Sequence, residues 1–179
     1  MKLIHTDIEG VLLFEPIVFA DERGYFFESF HKNKLSEHLQ AEFVQDNESL
    51  SHKGVLRGLH FQHPPYSQGK LVRVITGSVL DVAVDLRKNS NTYGKHIKQV
   101  LSSKNKLQLY IPEGFAHGFL VLEDNTIFSY KCSDYYKKEA EDALFWNDEL
   151  LGIDWGIANP IVSEKDKKAK NFSNFESPF

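Results

Sequence analysis

"KLVRVITGSVLDVAVDL", residues 70–86, decides the fold. Two short runs rich in β-branched residues, 70–76 and 78–86, are parted by Gly77, a pattern of strand, turn and strand. Side chains two apart on a strand share a face. In the second run Leu80, Val82, Val84 and Leu86 fall on one face, and Val79, Asp81, Ala83 and Asp85 on the other. Acids among small residues line either a pocket or a solvated face, and alternation alone leaves both open. Runs of the same kind continue outward: "GKHIKQVLS" (94–102), "LQLYIP" (107–112), "GFLVLE" (118–123) and "TIFSYKCS" (126–133). Upstream, "GVLLFEPIVFADERGYFFESF" (10–30) reads as two or three strands broken by Pro16 and a turn at Gly24. Many short strands with Gly, Pro, Asn and Asp between them predict an all-β sandwich or barrel of jelly-roll type with a few short helices. "HKNKLSEHLQAEF" (31–43) is the one persuasive helix of the first half, with Leu35, Leu39 and Phe43 four apart. Helical turns are expected in the tail after residue 139.

The 179 residues suit one domain spanning 1–179. Charged residues make up 26% and apolar ones 41%, as in an ordinary globule. A net charge of −4 argues against nucleic acid and against an anionic membrane, though not against an anionic small molecule. The single Cys132 forms no internal disulfide, which favours a reducing compartment. No run approaches the roughly 20 apolar residues of a membrane span, and "MKLIHTDIEG" lacks the apolar stretch of a signal peptide. A cytoplasmic protein is expected.

"LRGLHFQ" (56–62) borders this strand-rich region yet carries Arg57, His60 and Gln62. His60 and Gln62 share a parity, and Leu59 and Phe61 take the other, expected to face the sandwich interior. Arg57 has the wrong parity to join His60 unless Gly58 makes a bulge or bend. A lone strand histidine is commonly structural, but Arg57 and Lys70 nearby point to an anionic partner. "IPEGFAH" (111–117) matches half of a metal site: Pro112, Gly114 and His117 have the spacing of the second cupin motif. The first cupin motif is incomplete, because His60 and His63 fall on opposite faces and no carboxylate follows at the expected distance. No metal is therefore expected. No Gly-rich phosphate loop is present, and no serine or cysteine stands out as a nucleophile.

Longer blocks carry a family resemblance. "DERGYFFESF" (21–30), residues 45–94, "YIPEGFAHGFLVLED" (110–124), "YKCSDYYKKEAED" (130–142), "WNDELLGIDW" (146–155) and "SEKD" (163–166) closely resemble the dTDP-4-dehydrorhamnose 3,5-epimerases, in the same order. That resemblance implies a metal-free cupin-type jelly roll, a homodimer, a dTDP-sugar substrate and no cofactor. It implies His60 as general base, Asp166 as its partner, Tyr130 as proton donor on the opposite face and Lys70 beside the keto oxygen. It also implies substrate binding by Arg23, Glu28, Gln45, Asn47, Arg57, His117, Glu141 and Lys165. Arg23, Arg57 and Lys165 suit a diphosphate, and Phe26 and Tyr136 suit the base or sugar. Three rivals stand beside this reading: a mono-epimerase acting at one carbon, a metal-dependent cupin, and a nucleotide-sugar binder without catalysis.

Overall fold

The computed structural model describes residues 1–179. Fourteen strands form: β1 (Lys2–His5), β2 (Leu12–Glu15), β3 (Phe19–Asp21), β4 (Gly24–Phe26), β5 (Gln45–Ser51), β6 (Val55–Gln62), β7 (Lys70–Thr76), β8 (Ser78–Asp85), β9 (His96–Ser102), β10 (Gln108–Ile111), β11 (Phe115–Val121), β12 (Thr126–Cys132), β13 (Glu141–Ala143) and β14 (Ile161–Val162). Two short α-helices, α1 (Lys32–Ser36) and α2 (Glu164–Lys167), join them. One sheet has the order β1-β2-β10-β7-β12-β5, the other β13-β6-β11-β8-β9, with β14 parallel on β6. The β3–β4 hairpin stands apart as a two-stranded ribbon.

The alternation of residues 78–86 is explained by burial on both faces. Val79 and Ala83 belong to the core between the sheets, with Val72, Val74, Leu109, Phe119 and Phe128. Val82, Val84 and Leu86 pack outward into a second core, which the C-terminal segment covers with Leu144, Leu151, Trp155 and Phe175. A strand buried on both sides needs apolar residues at nearly every position, and β11 is buried throughout. The acids are not solvated: the Asp81 and Asp85 side chains are both fully enclosed. Asp85 ties its own turn together, accepting from Arg87, Ser90 and Thr92.

Two expectations are corrected. Leu59 and Phe61 face the outer core beneath the C-terminal segment, not the space between the sheets. The helix expected over 31–43 covers only Lys32–Ser36. Leu35 and Leu39 both reach the small core with Phe14, Leu71 and Tyr110. The chain past Leu39 has no helical hydrogen bonds and runs irregularly into β5, so the four-residue spacing holds for one turn and then fails.

Candidate active site

Between the sheets lies a cavity of about 480 Å³, lined among others by Gln45, Asn47, Arg57, His60, Lys70, His117, Tyr130, Tyr136 and Glu141. The sheets contribute different chemistry. Lys70, Tyr130 and the β5 residues come from the first; Arg57, His60, His117 and Glu141 come from the second.

Gly58 reconciles Arg57 with His60. In the β6–β11 pair His117 faces His60 but Phe119 faces Arg57, so Gly118 alone spans Gly58 and Leu59. This is a bulge with one extra residue on β6, and it turns Arg57 and His60 to the same face. Gly58 has φ +135°, a conformation that glycine adopts without Cβ strain. A Cβ there would lie 2.5 Å from the Gly118 Cα. The Arg57 guanidinium is steadied by Ser51 Oγ at 3.2–3.3 Å.

His60 Nε2 lies 2.7 Å from Asp166 Oδ1, and the Asp166 carboxylate also accepts from the Gly58 N–H at 3.4 Å. Asp166 sits in α2, where Ser163 caps the helix by accepting from the Asp166 N–H. β14 and the Leu144–Lys170 bridge pin this C-terminal strap against the second sheet. Burial raises the Asp166 pKa, but the bonds from His60, Gly58 and Ser163 outweigh it and hold the carboxyl below its ordinary range.

Across the cavity, burial pushes the Tyr130 hydroxyl pKa up, so the phenol keeps its proton at neutral pH. The Lys70 ammonium lies 5.9 Å from the Tyr130 ring centroid and has no protein acceptor within ion-pair reach. Burial moves its pKa down, against the pull of Cys132, Asp81 and Glu141. His117 is fully buried at the floor and donates to both Asp81 oxygens, at 3.0 and 3.1 Å. At the mouth, Tyr136 donates to Glu141 at 2.9 Å, and Lys165 forms an ion pair with the same carboxylate. Gln45 bridges inward and outward, donating to Asn47 at 3.0 Å and accepting from the Tyr136 N–H at 2.9 Å. A base with a carboxylate behind it faces a protonated phenol and an ammonium across one enclosed space. That set can remove a proton from one face of a carbon acid, hold the resulting enolate, and return a proton to the other face.

A family profile described as dTDP-4-dehydrorhamnose 3,5-epimerase matches residues 5–174. The Shigella flexneri protein named dTDP-4-dehydrorhamnose 3,5-epimerase is 53% identical over 174 residues, covering 96% of both chains. The chain belongs to this epimerase family. A crystal structure of dTDP-4-dehydrorhamnose 3,5-epimerase from Elizabethkingia anophelis superposes with a TM-score of 0.93 at 50% identity, covering 97% of each chain. The Legionella pneumophila dTDP-6-deoxy-D-glucose-3,5-epimerase, solved with dTDP-4-keto-L-rhamnose, gives 0.94 at 46% identity, covering 98% of this chain and 94% of that one. The fold is accordingly the cupin-like jelly roll of these epimerases.

Within this epimerase chain, five expected site residues do not line the cavity: Asp166 and Lys165 stand behind His60 and Glu141, and Arg23, Phe26 and Glu28 lie away from it. Arg23 and Phe26 line a separate shallow groove on the β3–β4 hairpin, where Arg23 pairs with Asp21. Glu28 is ion-paired with Lys34. Reading of the sequence missed Ser49 and Ser51, which face inward beside Gln45 and Asn47. Their two-residue spacing along β5 was the available signal. It also left Asp81 without a partner, because His117 lies 36 residues away. No three His, Cys, Asp or Glu side chains converge as a metal-ligand group, and no helix is long and apolar enough to cross a membrane.

Proposed function

We propose that this cavity epimerises carbons 3 and 5 of dTDP-4-dehydro-6-deoxy-D-glucose, giving dTDP-4-dehydro-L-rhamnose, with His60 as base and Tyr130 as acid. The observation that carries the reading is their placement on opposite sheets across one cavity. Carbons 3 and 5 flank the 4-keto group. His60 takes the proton from one of them, and the C–H electron pair becomes the new C=C bond as the carbonyl π electrons move onto the oxygen. Lys70 holds that enolate oxygen, and Asp166 stabilises the imidazolium. Collapse of the enolate takes a proton from Tyr130 on the other face and inverts the carbon. Only protons move, so the reaction needs no electron carrier.

Arg57, Lys165 and Arg23 suit the diphosphate, as guanidinium and ammonium groups do. Gln45, Asn47, Glu141, Glu28 and His117 suit the sugar and nucleotide, and Phe26 and Tyr136 the thymine. Arg23, Phe26 and Glu28 join the site when the protein is a homodimer whose hairpins reach across to a second copy. The hairpin region exposes Ile17, Val18, Phe19, Tyr25 and Phe26, an apolar surface that such an exchange buries. Light scattering should then return twice the chain mass, and a monomer at assay concentration would sink this arrangement. The lone, buried Cys132 suits the reducing cytoplasm.

Incubation with the 4-dehydro sugar nucleotide in deuterated water tests the chemistry. Label is expected at both C3 and C5. Label at one carbon alone would make the protein a mono-epimerase. His60→Ala should abolish exchange at both carbons and leave dTDP binding nearly unchanged. Most of the activity surviving in that variant would remove His60 from the role of base.

A further inference from the structure

Asp81 is the buried charge that these steps do not use. Its side chain is 0% exposed and its carboxylate accepts from one group only, the His117 Nε2–H. A carboxylate so enclosed calls for more compensation than one shared N–H. Lys70 has the complementary deficit, a half-buried ammonium on the cavity with no carboxylate within ion-pair reach. Both residues point into the space between the sheets, Asp81 from β8 and Lys70 from β7. His117 Nδ1 has no protein partner either. The one side-chain nitrogen or oxygen fully shut off without a hydrogen bond is Ser49 Oγ, so Nδ1 and the Lys70 Nζ both open on the cavity.

Resting on the epimerase reading above, we propose that Asp81 is a positioning residue with two effects. It fixes His117 with the proton on Nε2, so that Nδ1 presents a lone pair to a sugar hydroxyl. It also supplies the counter-charge that keeps Lys70 protonated beside the enolate oxygen. An imidazole whose Nε2–H is committed to a carboxylate accepts at its other nitrogen. Burial, Lys70 and His60 all disfavour a second proton on His117 and outweigh the pull of Asp81, so no full imidazolium stands beside the Asp81 carboxylate. The groups facing Lys70 come from several strands. Arg57 and His60 lie on β6, His117 on β11, Tyr130 and Cys132 on β12, Glu48 on β5, Glu141 on β13 and Tyr136 beyond β12. Of the three carboxylates in this surround, Glu141 is neutralised by Lys165 and Glu48 is exposed on the edge strand. Asp81 is the buried one without a Lys or Arg bonded to it.

Nitrogen-15 NMR of the wild-type imidazole reads the first effect without turnover. His117 should carry its proton on Nε2 at neutral pH, and a proton on Nδ1 would overturn the proposal. Asp81→Asn keeps an acceptor oxygen for His117 but removes the charge. In that variant the Lys70 ammonium should titrate about one pH unit lower than in the wild type. The alkaline limb of the deuterium-exchange rate should move with it, while dTDP affinity stays unchanged. Lys70 titrating at the same pH in both proteins would overturn the counter-charge role. If Asp81→Asn does not fold, the wild-type tautomer still decides the first effect, and Asp81→Glu, which keeps the charge, must leave the Lys70 titration within a few tenths of a pH unit. A wild-type protein without any exchange would instead sink the epimerase reading, leaving both NMR measurements standing.

Discussion

Two histidine–carboxylate pairs sit at facing positions of adjacent strands, His60 with Asp166 and His117 with Asp81. The chemistry of the partners is the same, and the surroundings are not. The His60 side chain is 31% exposed and opens on the cavity, whereas His117 is 6% exposed and closed in at the floor. The Asp166 carboxylate receives the imidazole, a backbone N–H and support from a capped helix. Asp81 receives the imidazole alone. The exposed pair has room to gain and lose a proton, as the proposed base requires, and the buried pair suits holding a ring in one state. Environment, not residue type, separates the two roles.

Asp166→Asn is the strongest test of that division. It should cut the exchange rate about 100-fold, the low end of what general acid–base groups contribute, with dTDP affinity little changed. If exchange is unaffected, the two pairs do not differ in role as described. His63, which pairs with Asp142 on the outer surface at 3.0 Å, is the control. His63→Gln should alter neither exchange nor affinity, since this half-buried pair lies outside the cavity lining.

Gly58→Ala attacks what sets the two histidines side by side. The new Cβ would meet the Gly118 Cα at 2.5 Å and the His117 carbonyl oxygen at 3.0 Å, at a positive φ. Overpacking and strain together should lower stability by about 3 kcal/mol, read as a fall in the denaturant midpoint. An unchanged midpoint would mean that the bulge does not depend on this close approach.

The smallest effect separates the pairs by pH. Burial holds the His117 pKa below its usual 6.5, so between the two values the unfolded chain binds a proton that the folded chain does not. Stability from this group is present above about pH 6.5 and falls as the pH drops below it, by up to about 1.4 kcal/mol per pH unit. Asp166 has its pKa lowered from 3.8, so its contribution is present above that value and falls only in stronger acid. His117→Asn should flatten the first limb in part, because His96 shares the direction and keeps its share. Asp166→Asn should act on the second limb alone, and in part, because Asp85, Glu141 and Asp142 share its direction. One limb responding to both substitutions would erase the distinction.

Much of this was legible because it is local. The strands in residues 70–86 follow from β-branched alternation, and the two faces of residues 78–86 were separated correctly. The bulge at Gly58 followed from a parity conflict between Arg57 and His60 within four residues. What failed involved other layers. The outward burial of Leu59 and Phe61 depends on a C-terminal cover that strand periodicity does not reveal. The helix after His31 stopped early because Leu39 reaches its core without a second turn. Asp166 reached the site through family resemblance alone, since no pattern near His60 names a partner so distant. The exposed positions of Arg23, Phe26 and Glu28 were equally invisible, because a hairpin reads alike whether it folds back or projects.

The strap that carries Asp166 has a consequence for how the protein is made. Asp166 follows His60 by 106 residues, and both sheets, the two-residue β14 included, are complete in sequence before α2 begins. In an emerging chain His60, Tyr130 and Lys70 are thus all made before the carboxylate that pairs with His60. Translation order itself places that carboxylate last, after every strand of the sandwich has been made.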